Sequence, residues 1–186
     1  MDAMTLLHER SSMGKLVGPA PSPEQLDALY RAALRAPDHK ELTPWRFIEF
    51  SGDGLSRLGE LFAEAEFRAD PDATDTTLDA ARKKPLRAPM IIAVIARVTP
   101  DLPKVPKLEQ VISAGCAAHG ILLAAHAQGL GAMWRSGHYA FDDTVRKGLD
   151  AGEHDEIVGF LYLGQPGGRH KPVPERTPDD FVKHWR

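Results

Sequence analysis

Cysteine is nearly missing: Cys116 is the single one in the chain, so an intrachain disulfide framework and a cysteine-based metal knuckle are both excluded. The first residues, MDAMTLLHER, lack the basic start and long apolar core of a signal peptide. The longest strongly apolar run, Met90 to Ala96, is too short to cross a bilayer. Positive charge is not in excess either. The formal net charge is −3, and no bulk field draws the protein toward nucleic acid or anionic lipid. These absences predict a reducing, cytoplasmic setting with no nucleic-acid or membrane partner. What remains is 186 residues, 42% hydrophobic and 26% charged, the size and balance of one domain over 1–186.

The hydrophobic spacing predicts mixed elements. Asp2 caps a short helix ending near Glu9, and Ser22-Pro23-Glu24-Gln25 is a capping box that opens a second. Leu26, Leu29, Tyr30, Ala33 and Leu34 form the buried stripe of that helix, which Pro37 ends. Strands are expected at Arg46–Phe50, Met90–Ala96, from Ala132, and at Ile157–Leu163; Met90–Ala96 reads as buried on both faces. A helix from about Leu55 precedes a polar segment, Ala69 to Thr77, that reads as a loop. The helix from Pro106 to Gln128 is rich in Ala and Gly, which implies close packing at the centre of the fold or at a subunit interface. Asp142 to Leu149 reads as a last helix. Without regular βαβ alternation the class is α+β. The Pro-rich tail from Gly167 exposes Arg169, Lys171 and Arg176, frayed or wrapped around a partner subunit.

Common catalytic signatures fail. His119 and His126 are seven apart, wrong for chelation, and read as core or interface histidines; no G-x-S-x-G elbow is present. Cys116, on the apolar helix, reads as a small buried hydrophobe. Gly129-Leu130-Gly131-Ala132-Met133-Trp134 follows a helix where a dinucleotide fingerprint follows a strand. It reads instead as a helix stop feeding Trp134-Arg135-Ser136-Gly137, backbone donors beside a cation and a hydroxyl. Arg10-Ser11-Ser12 is a second donor cluster, and Arg35 with His39 a third, each open to a plain surface reading. Arg82, Lys83, Lys84 and Arg87 form a basic run, read first as a solvated face and second as the mouth of a site for an anionic cosubstrate. Three donor clusters without an acid–base or metal site suggest a large anionic cofactor.

The stretches LLHERSS before residue 13, RAPDHKELTPWRF at 35–47, RAPMIIAVIA at 87–96, SAGCAAHGILLAAHAQGLGAMWRSG at 113–137 and IVGFLYLG at 157–164 resemble, in order, the nitroreductase family, and most closely its short members. The resemblance implies a nitroreductase-like fold, with a central, mostly antiparallel sheet wrapped by helices. It also implies an intertwined homodimer with FMN at the subunit interface. Arg10, Ser11 and Ser12 then match the stretch gripping the FMN phosphate, ribityl chain or ring edge. Ser11 stands where many relatives carry a basic residue or histidine. Arg35 and His39 match the loop reaching FMN from the partner subunit, and Trp134, Arg135 and Ser136 the turn facing the flavin. Lys15 is implied at the pyrimidine edge and Arg176 at the phosphate. NAD(P)H is the implied cosubstrate. It passes hydride to flavin N5, and a nitroaromatic or quinone then takes two electrons in a ping-pong cycle with no catalytic side chain. Two other readings stand beside this one: a flavin-binding carrier or sensor of the same fold, and a hydrolase using His39 with Asp38.

Overall fold

Seven consecutive apolar side chains cannot alternate between core and water, so a strand made of them needs cover on both sides. β3, Met90–Ala96, is that strand, and every residue of it is buried. In the computed structural model, which describes residues 1–169 and 172–185, it lies at the centre of a five-stranded antiparallel sheet. β2, Arg46–Ser51, pairs with one edge of β3, and β5, Glu156–Pro166, with the other. The far edge of β5 carries two short strands in series, β4 (Gly131–Arg135) and β1 (Leu16–Val17).

Period-two alternation sorts the side chains between two helical layers. Ile91, Ala93, Ile95, Phe160 and Tyr162 face α3 (Asp53–Ala69), α4 (Asp75–Lys83) and α6 (Asp143–Gly148), meeting Leu58, Phe62, Ala81 and Val145. Ile92, Val94, Leu161 and Leu163 face α2 (Pro23–Ala33) and α5 (Lys107–Ala127), meeting Leu29, Ala117, Ile121 and Ala125. Small residues set the α2–α5 spacing: a Cβ on Gly120 would stand 3.0 Å from the Ala32 carbonyl oxygen. α1, Ala3–Glu9, is capped by Asp2 and buries no residue.

α5 has the length and apolarity of a membrane-crossing helix, but its Ala and Ile face is the packing surface of this core. The opposite face leaves Leu108 and Ile112 exposed, and Cys116, expected to be buried, is exposed there too. The segment read as a polar loop after Ala69 is also corrected. Only a five-residue turn, 70–74, separates the two helices, and its last residue, Thr74, accepts from the Thr77 amide and caps α4. Only Leu78 and Ala81 of α4 turn inward, too few to mark its periodicity. In the tail, Arg169 and Arg176 are exposed, while Lys171 lies outside the described residues.

Candidate functional site

The site grows from the point where α5 stops. Gly129, at φ +74°, turns the chain out of the helix and into β4. Gly131 opens that strand without a side chain because a Cβ would lie 2.6 Å from Leu16 and 3.3 Å from Met13. The close approach lets the Met13 amide donate to the Ala132 carbonyl at 2.8 Å, clipping the loop after α1 along β4. Arg10, Ser11 and Ser12 are thereby carried beside Met133, and with Val173 they line a cavity of about 250 Å³.

A second cavity, about 380 Å³, opens on another side of Met133. Its wall runs from Trp134 through Tyr139 and is completed by Lys84, Arg87, Phe160 and Tyr162. Trp134 acts here as a structural post. Its indole Nε1 donates to the Val158 carbonyl at 3.2 Å, at a bulge where β5 gains one residue against β3. Trp134 and Arg135 still pair with Leu161 and Phe160, so irregular backbone begins at Ser136 and Gly137, the latter at φ +58°. The Arg135 guanidinium lies over the Tyr162 ring at 5.4 Å, and its Nε is buried with no hydrogen-bond partner among the described residues. A buried, unsatisfied guanidinium N–H is costly and suits a site that an acceptor completes.

The cavity's outer wall is a charged network. The Tyr139 hydroxyl donates to Glu66 at 2.5 Å and accepts from Lys84 Nζ at 2.7 Å. His138 Nε2 lies 3.0 Å from the same Glu66 oxygen. The Tyr139 hydrogen bond, aided by His138 and Lys84, holds the Glu66 carboxyl below the usual range against its partial burial. Burial first, then the bond to Glu66, pushes the Tyr139 phenol up, so it remains a neutral donor at ordinary pH.

Arg35 and His39 line neither cavity. His39 Nδ1 sits 2.9 Å from Glu109 near the start of α5, and Ser113 Oγ donates to the Pro37 carbonyl at 2.5 Å. Asp38 accepts from the Leu42 and Thr43 amides, at 3.1 and 2.6 Å, which commits its carboxylate to shaping the loop. Lys40, Glu41 and Thr43 all hold positive φ, so this arm is fixed by its bonds against local preference. Arg35 is exposed with no ion pair among the described residues. Lys15 and Arg176 are exposed and line neither cavity.

Trp134, Arg135 and Ser136 share the larger cavity with two residues of the basic run that the sequence presents first as a solvated face and second as the mouth of a site. Of the basic run, Arg82 is a surface residue paired with Glu60 and Asp79, whereas Lys84 and Arg87 turn into the larger cavity. Glu66, Tyr139 and Tyr162 carried no local signal at all.

The sequence profile of the nitroreductase family matches residues 7–165. YdjA of Escherichia coli K12, provisionally named an NAD(P)H nitroreductase, is 44% identical over 188 residues, covering 100% of both chains. A Haemophilus influenzae protein with the same provisional activity is 41% identical over 166 residues, 88% of each chain. Among solved structures, a nitroreductase-like protein from Bacillus cereus superposes with a TM-score of 0.83 at 21% identity, covering 100% of this chain and 96% of its own. A Bacteroides fragilis nitroreductase with bound FMN gives 0.74 at 18% identity, covering 100% of both. The chain belongs to the nitroreductase family.

Proposed function

We propose that this chain is an FMN-dependent NAD(P)H oxidoreductase acting on nitroaromatic, quinone or related small acceptors in a cytoplasmic setting. The observation that carries the reading is the pair of cavities that meet at Met133. One offers a guanidinium and two hydroxyls from Arg10, Ser11 and Ser12. The other offers Lys84, Arg87 and the unsatisfied Arg135 beside irregular backbone. A molecule with a phosphate tail and a flat, electron-accepting head fits that division of chemistry.

When bound, FMN supplies two-electron hydride exchange between a nicotinamide and an acceptor. The protein's part is placement. Arg10, Ser11 and Ser12 hold the phosphate end, and Arg135, Ser136 and Gly137 present donors to the ring. Lys84 and Arg87 supply positive charge where negative charge collects. A nicotinamide donor and then an acceptor enter in turn, a ping-pong cycle that needs no nucleophilic side chain. Asp38, bound to its own loop, is poorly placed to serve His39 in a hydrolase.

The chain acts as a homodimer in this reading. The exposed α5 face with Leu108 and Ile112 supplies the apolar contact. The stiff arm presents Arg35 and His39 to the FMN of the other subunit.

The visible spectrum of the purified protein, with the released cofactor identified by mass, tests the reading. FMN absorbance that NADH or NADPH bleaches and a nitroaromatic restores is expected. Bound FMN without turnover leaves a carrier or sensor, and a protein that takes up no FMN overturns the proposal.

A further inference from the structure

Three formal cations, Lys84, Arg87 and Arg135, line the larger cavity in a chain whose net charge is −3. Arg87 and Arg135 have no ion pair among the described residues. Among the described residues one carboxylate is bonded to this wall, that of Glu66, and it reaches the cavity through His138 and Tyr139. Glu66 lies one turn after Phe62 on α3, so both project from the same helical face. Phe62 stacks on the Tyr139 ring at 4.0 Å and 4°, clamping its plane, and the Glu66 carboxylate accepts the hydrogen bond from its hydroxyl. The phenol oxygen is thereby aimed at Lys84 Nζ, which also lies 3.6 Å from Glu66 itself. The side chains of Glu66 and Lys84 are 22% and 32% exposed, so their charges are only partly screened by water. The other titratable groups at this wall are His138, bonded to Glu66, and Tyr162, under Arg135.

We propose that Glu66 is the charge-setting and positioning residue of this cavity. It holds Lys84 in place through Tyr139, and it offsets one of the three cations that stabilise a delocalised anion there. The inference rests on the reading that FMN occupies the site, and it gives substitutions of neighbouring groups opposite signs. Removing the Glu66 charge leaves the cavity more positive, favouring the reduced, anionic flavin. Removing the Lys84 charge, or the hydroxyl that aims it, has the reverse effect.

Midpoint potentials of the FMN-loaded protein, measured by dye-equilibrated reduction, test this with Glu66→Gln, Lys84→Met and Tyr139→Phe. Glu66→Gln is expected to bind reduced over oxidised FMN about tenfold more strongly, a rise of about 30 mV for a two-electron couple. Lys84→Met and Tyr139→Phe are expected to lower the potential. Tyr139→Phe keeps the ring stacked on Phe62, so it reports the sign even where Glu66→Gln folds poorly. Unmoved potentials, or all three variants shifting in one direction as general damage would cause, overturn the inference while the FMN reading stands. A wild-type protein that takes up no FMN overturns both.

Discussion

The indole of Trp134 and the backbone of Gly159 occupy adjoining space: a Cβ on Gly159 would stand 2.3 Å from Trp134 Nε1. The bulge, the Val158 carbonyl and the missing side chain together form the socket for the ring that sets where β4 ends. Gly159→Ala is therefore expected to destabilise the fold by about 1–3 kcal/mol through overpacking. Gly168→Ala, with nothing within 4 Å of the new methyl, is expected to leave thermal unfolding unchanged. Equal melting temperatures for wild type and Gly159→Ala would show the socket to be loose.

Arg10 and Arg35 serve one flavin from different subunits in the proposed dimer. Arg10→Ala and Arg35→Ala are each expected to weaken FMN binding about 10–100-fold, the loss of a charge-assisted contact. Co-expression of the two variants provides a sharper check. A mixed dimer places both lesions in one site and none in the other, so half of its sites regain FMN. Flavin absorbance per chain of the isolated mixed dimer measures this, and no recovery argues that both arginines act within one chain.

Ile112 sits on the exposed stripe of α5. A glutamate there puts a charge on the surface proposed to bury against its copy, while the core face of α5 is untouched. Light scattering is expected to give twice 20.4 kDa for the wild type and a single chain mass for Ile112→Glu, with flavin lost in parallel. A wild type of single-chain mass sinks the shared-site geometry.

Glu66 links the site to acid stability. Its carboxyl is held low in the folded state, first by the Tyr139 hydroxyl. A depressed folded-state value adds stability that is complete above the unfolded value, for which 4.5 is the reference. That stability is lost as pH falls through the folded value. Wild type is thus expected to melt above Glu66→Gln at pH 7, with the gap shrinking below about pH 5 and closing at lower pH. A gap independent of pH would assign the loss to packing instead.

The sheet and its long helices were legible because their signals are local. The Ser22 capping box forms as written, and the apolar run of β3 demanded cover on both faces and has it. α4 escaped because two inward residues set no period. Cys116 was misplaced because α5 is apolar on faces that the core does not cover. The charged network was out of reach for a different reason. Glu66 and Tyr139 are 73 residues apart, and spacing along the chain does not tell Lys84 from Arg82. Only the packing of α4 sends one to the cavity and the other to water.

β5 has a consequence for the timing of biosynthesis. This one strand, Glu156–Pro166, pairs with β3 along one side and with β4 and β1 along the other. Until it leaves the ribosome, β1 and β4 have no neighbour to fix their height, and the Arg10 loop has no settled strand to lie along. The sheet closes only when about nine-tenths of the chain has been made, with contacts that span most of its length. If the proposed FMN site is right, its assembly waits for β5, and a ribosome stalled before residue 156 is expected to carry a nascent protein that holds no flavin.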